Sequence, residues 1–177
     1  MGFSHDRKWF VTNGLRLNRI DVYRFDGANF ALAQHVPLPG TPSHMAFSDD
    51  NKTAFITLQE SGELAAVDLA SQTVKRKMKV GKAPAGLFSA PKDQYLLVGM
   101  TGADYVAVVD WRNQKIVKTI HTDRGAHTFR SFADGHRVLV INRVASTISV
   151  LDLQSLTVVN TVTGLLPGPD DMELTPG

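Results

Sequence analysis

The sequence predicts an all-β fold, a β-propeller built of four-stranded antiparallel blades about 42 residues long. Three observations carry that prediction. One phrase, two alternating apolar runs joined by a polar turn, occurs at 63–80 (ELAAVDLASQTVKRKMKV), 105–122 (YVAVVDWRNQKIVKTIHT) and 144–164 (VASTISVLDLQSLTVVNTVTG). Asp68, Asp110 and Asp152, which end the first runs, are spaced by 42 and again by 42. No stretch of ten or more residues carries the helical period; every apolar run has strand length and is bounded by Gly, Pro, Asn, Asp or Ser.

In chain order, the first unit (3–38) opens with FSHDRKWFVTN, a turn and a second strand. NRIDVYRFD is its third strand and FALAQHVPL its fourth, so this unit lacks a first strand. The second unit (39–80) is complete: GTPSHMAFS, TAFITL, LAAVDL and TVKRKMKV are strands, separated by DDNK, QESGE and ASQ. The third (81–122) repeats the layout with KAPAGLFSA, YLLVGM, YVAVVD and KIVKTIHT. The fourth (123–164) does so with RGAHTFRSF, VLVINR, TISVLDL and TVVNTVTG. PGPDDMELTPG, within 165–177, reads as the first strand of a further blade, with LTPG at the repeat positions of FADG (132–135) and FSHD (3–6). The chain therefore reads as three whole blades plus one split between the termini.

Composition narrows the function. A hydrophobic content of 43% supports a packed core, and a net charge of +2 gives no pull toward nucleic acid. KRKMK (75–79) is the densest basic run; inside a strand pattern it reads as an edge strand that lysines protect from sheet-to-sheet pairing. Without cysteine there are no disulfides or thiolate metal ligands. No run of 18 apolar residues predicts a membrane span, and the first residues lack the apolar segment of a secretory signal.

FVTN (10–13) followed by a VxVxD-type strand resembles the YVTN family of β-propeller repeats. FADG (132–135), VIN (140–142), ISVLDL (148–153), VVNTVTG (158–164), VAVVDW (106–111), IVKTI (116–120) and the link MKVGKAP (78–84) extend the likeness over the whole chain. The resemblance implies a propeller from a family whose members are commonly periplasmic or extracellular, most without known activity. Related propellers, similar to the haem d1 domain of nitrite reductases and to quinoprotein dehydrogenase subunits, bind cofactors. Such proteins usually carry seven or eight blades. The four counted here suggest a piece of a longer propeller, a four-bladed ring closed by its split blade, or a homodimer completing an eight-bladed ring.

In a propeller the first strands line the central channel, so candidate chemistry lies at TPSHM (41–45), KAPAG (82–86), RGAHTFR (124–130) and GPDDM (168–172). These supply His44, Lys82, His127, Arg130, Asp170 and Asp171 as ligand-binding candidates at the channel mouth. Imidazole plus carboxylate suits a metal or an anionic cofactor, but no metal-binding spacing occurs within any one segment. Solvated turn residues are the simpler reading, since His, Asp and Gly tolerate turn geometry. In HTDRGAH (121–127), Asp123 is a possible orienting partner for a histidine ring, although His121 ends an outer strand. On a strand Asp170 and Asp171 point to opposite faces, which argues against a two-carboxylate hydrolase. No G-x-S-x-G, phosphate-binding loop or dinucleotide fingerprint is present. NKT (51–53) reads as turn chemistry, the recurring aspartates as structural, and Trp9 and Trp111 as buried.

The reading is a non-catalytic scaffold that binds a protein or small molecule, with no catalytic residue, no metal and no cofactor. The alternative is a periplasmic redox or cofactor-handling propeller using haem or quinone.

Overall fold

In the computed structural model, which describes residues 1–173, sixteen strands form four antiparallel four-stranded sheets. Sheet 1 holds β1 (Gly2–Phe3), β2 (Trp9–Gly14), β3 (Arg19–Phe25) and β4 (Phe30–Pro37). Sheet 2 holds β5 (Pro42–Phe47), β6 (Thr53–Leu58), β7 (Glu63–Asp68) and β8 (Thr73–Lys79). Sheet 3 holds β9 (Pro84–Ser89), β10 (Leu96–Met100), β11 (Tyr105–Asp110) and β12 (Lys115–His121). Sheet 4 holds β13 (Ala126–Ser131), β14 (Arg137–Asn142), β15 (Thr147–Asp152) and β16 (Thr157–Val162). Each sheet is a meander in which consecutive strands pair, the arrangement of a propeller blade.

Local chemistry explains the repetition. In three sheets an aspartate closes the third strand and caps the turn that follows. Asp68 Oδ1 accepts from the Ser71 N–H at 2.7 Å, Asp110 Oδ1 from Asn113 N–H at 3.1 Å, and Asp152 Oδ1 from Ser155 N–H at 2.7 Å. Gln72, Gln114 and Leu156, again 42 apart, take a left-handed conformation in those turns, with φ of 51°, 52° and 54°. A register shift also recurs between the third and fourth strands, at Val22/Tyr23, Ala66/Val67, Val108/Val109 and Val150/Leu151. Such bulges twist the outer strand away from edge-to-edge pairing. The basic run lies on outer strand β8, where Lys77 and Lys79 flank Glu63 at 3.8 and 3.7 Å.

The chain divides into two compact units, Met1–Pro84 and Ala85–Gly177. In the first, sheet 1 buries Val11, Ile20, Val22 and Val36 against Ala54, Ile56, Ala65, Val67 and Leu69 of sheet 2. In the second, Leu97, Val106, Val108 and Ile120 of sheet 3 pack with Val138, Val140 and Leu151 of sheet 4. Alternation puts an apolar set on one side of each strand, so the two sheets of each unit close a core between them. Trp9 is buried as expected, while Trp111 is only half-buried.

Four details differ from the sequence reading. Sheet 1 has a two-residue first strand, Gly2–Phe3, where none was expected. Residues 165–173 form no strand, and the LTPG comparison lies outside the described residues. Asp170 and Asp171 are therefore not governed by strand alternation. Register is also shifted: Ser4 N–H donates to Trp9 O and Phe132 N–H to Arg137 O, so Ser4, not Phe3, corresponds to Phe132. In the same register Asn13 pairs with Ile20 as Ile141 does with Ile148, which places Asn13 and Asn142 one residue apart and on opposite faces.

Candidate functional site

A left-handed residue precedes each first strand of sheets 2, 3 and 4: Thr41 (φ 65°), Ala83 (φ 49°) and Gly125 (φ 89°). Gly168 (φ 70°) takes the same conformation after β16. In β5 and β13 the next residues fall in a bulge, between Pro42 and Met45 and between Ala126 and Phe129. The bulges re-aim the side chains that follow the turn. They contain His44 in the first unit and His127 and Thr128 in the second.

In the first unit the bulge is plugged from behind. Thr57, fully buried on β6, accepts the His44 N–H at Oγ1 (3.0 Å) and donates the same hydroxyl to His44 O (3.3 Å). His44 is half-buried. Lys82 is exposed in the loop before Ala83.

In the second unit the predicted residues do converge. Arg130 Nη2 donates to Asp171 Oδ1 at 2.8 Å. Asp170 Oδ1 lies 3.2 Å from Arg143 Nη1 and 3.7 Å from His127 Nδ1. Thr128 Oγ1 donates to Asp170 O at 2.7 Å, which ties residues 168–171 down to β13. That hydroxyl has spent its only proton, so at 3.0 Å it accepts from His127 Nδ1, which therefore carries a proton. His127 is only 9% exposed. Burial holds its pKa below the usual histidine value; Asp170 opposes that shift and Arg143 reinforces it.

The cluster is thus a neutral imidazole among two guanidinium–carboxylate pairs. His127, Arg130, Asp170 and Asp171 come together here, with Arg143 and Thr128, which the sequence reading missed. Arg143 sits in the turn after β14, whose backbone is tied to the lead-in turn: its N–H donates to Gly125 O at 2.9 Å and Ala145 N–H to Arg124 O at 3.0 Å. Loops between second and third strands border the lead-in turns, and that adjacency was the available signal. His121 ends β12 exposed, and Asp123 Oδ2 accepts from Thr147 Oγ1 at 2.7 Å.

A close approach of backbone holds the cluster's base. Gly86 of β9, at the register of His44, faces His127 O so closely that a Cβ there would lie 1.6 Å from it. Glycine is the one residue that lets β9 and β13 meet. Among the described residues no group of three or more His, Cys, Asp or Glu is placed to hold a metal ion. None of the described helices is long and apolar enough to cross a membrane.

The family described as YNCE-like beta-propeller matches residues 1–175. Among solved structures the chain is similar to hydrazine synthase of Kuenenia stuttgartiensis, with a TM-score of 0.82 and 18% identity over 90% of this chain. The chain spans about half, 47%, of that chain's length, and at this identity the likeness is one of fold. No curated protein matches the sequence.

Proposed function

The chain belongs to the YNCE-like β-propeller family, and from that premise we propose that it is a non-catalytic scaffold binding a protein or small ligand through its lead-in turns. One observation carries this reading. The turn backbone is constant at Thr41, Ala83, Gly125 and Gly168, while the two residues two and three positions on change from Ser43–His44 to Ala85–Gly86, His127–Thr128 and Asp170–Asp171. A fixed frame with variable side chains suits recognition. In the second unit both carboxylates are committed to guanidiniums, an arrangement better fitted to hydrogen-bonding a ligand than to proton transfer.

On this reading the ligand is a protein or a small molecule, not nucleic acid, and the chain works in the periplasm or outside the cell. Its partners include a second copy that completes an eight-bladed ring. The test is capture from extracts of the source organism with the wild-type chain and with an Arg130→Ala, Arg143→Ala variant. The expected result is a defined partner whose dissociation constant rises about tenfold or more in the variant. A partner retained equally by both would move the site elsewhere. A haem or quinone absorption band in protein isolated from its source would replace this reading with the cofactor-handling one.

A further inference from the structure

We propose that Arg130, Arg143 and the imidazole N–H of His127 form a receptor for two neighbouring carboxylates, that Asp170 and Asp171 are its resident occupants, and that the ligand displacing them is a protein segment with two adjacent acidic residues. The proposal rests on the scaffold reading and names the chemistry the ligand would bring to the second unit.

The cations are held by the framework and not by the carboxylates. Arg130 stands on β13, and its Nη1 donates to Phe129 O at 2.9 Å. Arg143 is anchored by its own N–H on Gly125 O, and its turn by Ala145 N–H on Arg124 O. His127 is fixed by Thr128 Oγ1 at 3.0 Å. Two guanidiniums set into one cluster leave a double positive charge that calls for anions.

The anions come from a segment with a weaker hold. Residues 165–171 form no strand. Side chains tie them down: Ser146 Oγ accepts the Gly168 N–H at 3.3 Å, and Thr128 Oγ1 donates to Asp170 O at 2.7 Å. The carboxylates are the outer members of their pairs. The Asp170 and Asp171 side chains are 63% and 68% exposed, against 48% and 44% for Arg143 and Arg130. Ion pairs so open to water contribute little and exchange readily for another anion. Nor does the turn backbone require these carboxylates, since the same positions hold Ser43–His44, Ala85–Gly86 and His127–Thr128 behind the equivalent left-handed residues.

The geometry sets the chemical class. Each guanidinium holds a carboxylate of its own, Arg130 that of Asp171 at 2.8 Å and Arg143 that of Asp170 at 3.2 Å. The Asp170 carboxylate also lies 3.7 Å from His127 Nδ1. The receptor thus reads two singly charged groups on consecutive residues, whose Cα atoms are about 3.8 Å apart. A single phosphate would need both arginines on one centre. Arginine clusters that read acidic residues are a recurring mode of peptide recognition.

The test is titration calorimetry with the dipeptide acetyl-Asp-Asp-amide on three chains: the wild type, an Asp170→Asn, Asp171→Asn variant, and that variant with Arg130→Ala and Arg143→Ala added. Asparagine keeps the Oδ1 that accepts from Met172 N–H and the backbone oxygen that Thr128 bonds, and thermal melts check that each chain is folded. Asp171→Asn alone, at the more exposed position, replaces the double variant if that chain does not fold. The expected affinity is at least about tenfold higher without the carboxylates than in the wild type, is lost with the arginines, and is absent for acetyl-Asn-Asn-amide. Equal affinity in the first two chains overturns the assignment of Asp170 and Asp171 as occupants. Binding that survives loss of the arginines, or no binding to any chain, overturns the receptor. Tighter binding of acetyl-phosphoserine-amide than of the Asp dipeptide overturns the carboxylate class. A partner captured from extracts through the arginines, while no chain binds the dipeptide, defeats this proposal and leaves the scaffold reading standing.

Discussion

Replacing Gly86 by alanine sets a methyl carbon 1.6 Å from His127 O, 2.6 Å from its carbonyl carbon and 2.8 Å from a ring carbon of Phe129. Gly86 is not among the positive-φ residues, so the cost is steric, not conformational. Ordinary contact needs about 3.5 Å, so β9 and β13 must part by roughly 2 Å, and the obstructing atom is backbone with no rotamer to escape into. Parting them loosens the core around Ala126, Phe129, Val138 and Val140. Overpacking of this kind costs about 1–3 kcal/mol, and a backbone obstruction belongs at the upper end, ~3 kcal/mol. For a chain of this size that is a drop of roughly 6–12 °C in melting temperature. Urea and thermal unfolding of Gly86→Ala measure it against Gly135→Ala, where φ is +68° but no atom lies within 4 Å. The control loses only about 1–2 kcal/mol, from left-handed strain. If Gly86→Ala unfolds no earlier than the control, β9 and β13 do not meet as described.

Other expectations follow the same reasoning. Thr57→Val keeps shape but leaves the His44 N–H without its Thr57 acceptor in the bulge, at a cost of about 1–3 kcal/mol in urea unfolding; a shift under about 0.5 would contradict the plug. Asp134 has its pKa lowered to about 2, first by the His136 N–H and then by Arg137. Its stabilisation is complete above the ordinary value of 3.8 and is lost as pH falls from there toward 2, so Asp134→Asn should flatten that limb of a stability-against-pH curve. His127 titrates below 6.5 when folded, so stability is full above that pH and declines beneath it as the unfolded chain takes the proton first. An NMR titration with a midpoint at or above 6.5, or the same pH limb in His127→Gln, would contradict its burial. Asp152→Ala removes the acceptor of the Ser155 N–H, Ser155 hydroxyl and Gln154 N–H, and should lower the unfolding midpoint while hydrogen exchange speeds up first in residues 153–156.

Much of the architecture is legible because its causes are local. Alternation chooses the strand faces, and Asp68, Asp110 and Asp152 bond to groups two or three residues away, so a repeat of 42 writes itself directly into the letters. Register was harder. The likeness of FVTN to VIN aligned Asn13 with Asn142, yet Asn13 Nδ2 donates forward to Ser43 O at 2.7 Å, whereas Asn142 Nδ2 donates to Ser149 Oγ at 2.8 Å within its own sheet. One residue of slip reverses the face, and motif spelling does not detect it.

The site divides along the same line. Sequence alone determined the blades, the turns between them and the candidate status of His127, Arg130, Asp170 and Asp171, since each follows from periodicity and from the place a first strand must occupy. Only tertiary structure decided that Arg143 and Thr128 join them, that His127 is buried and neutral, and that Gly86 is glycine because another backbone passes there. Those facts depend on how closely strands far apart in the chain approach, a distance set by side-chain volume across the packed sheets and not by any pattern within one strand.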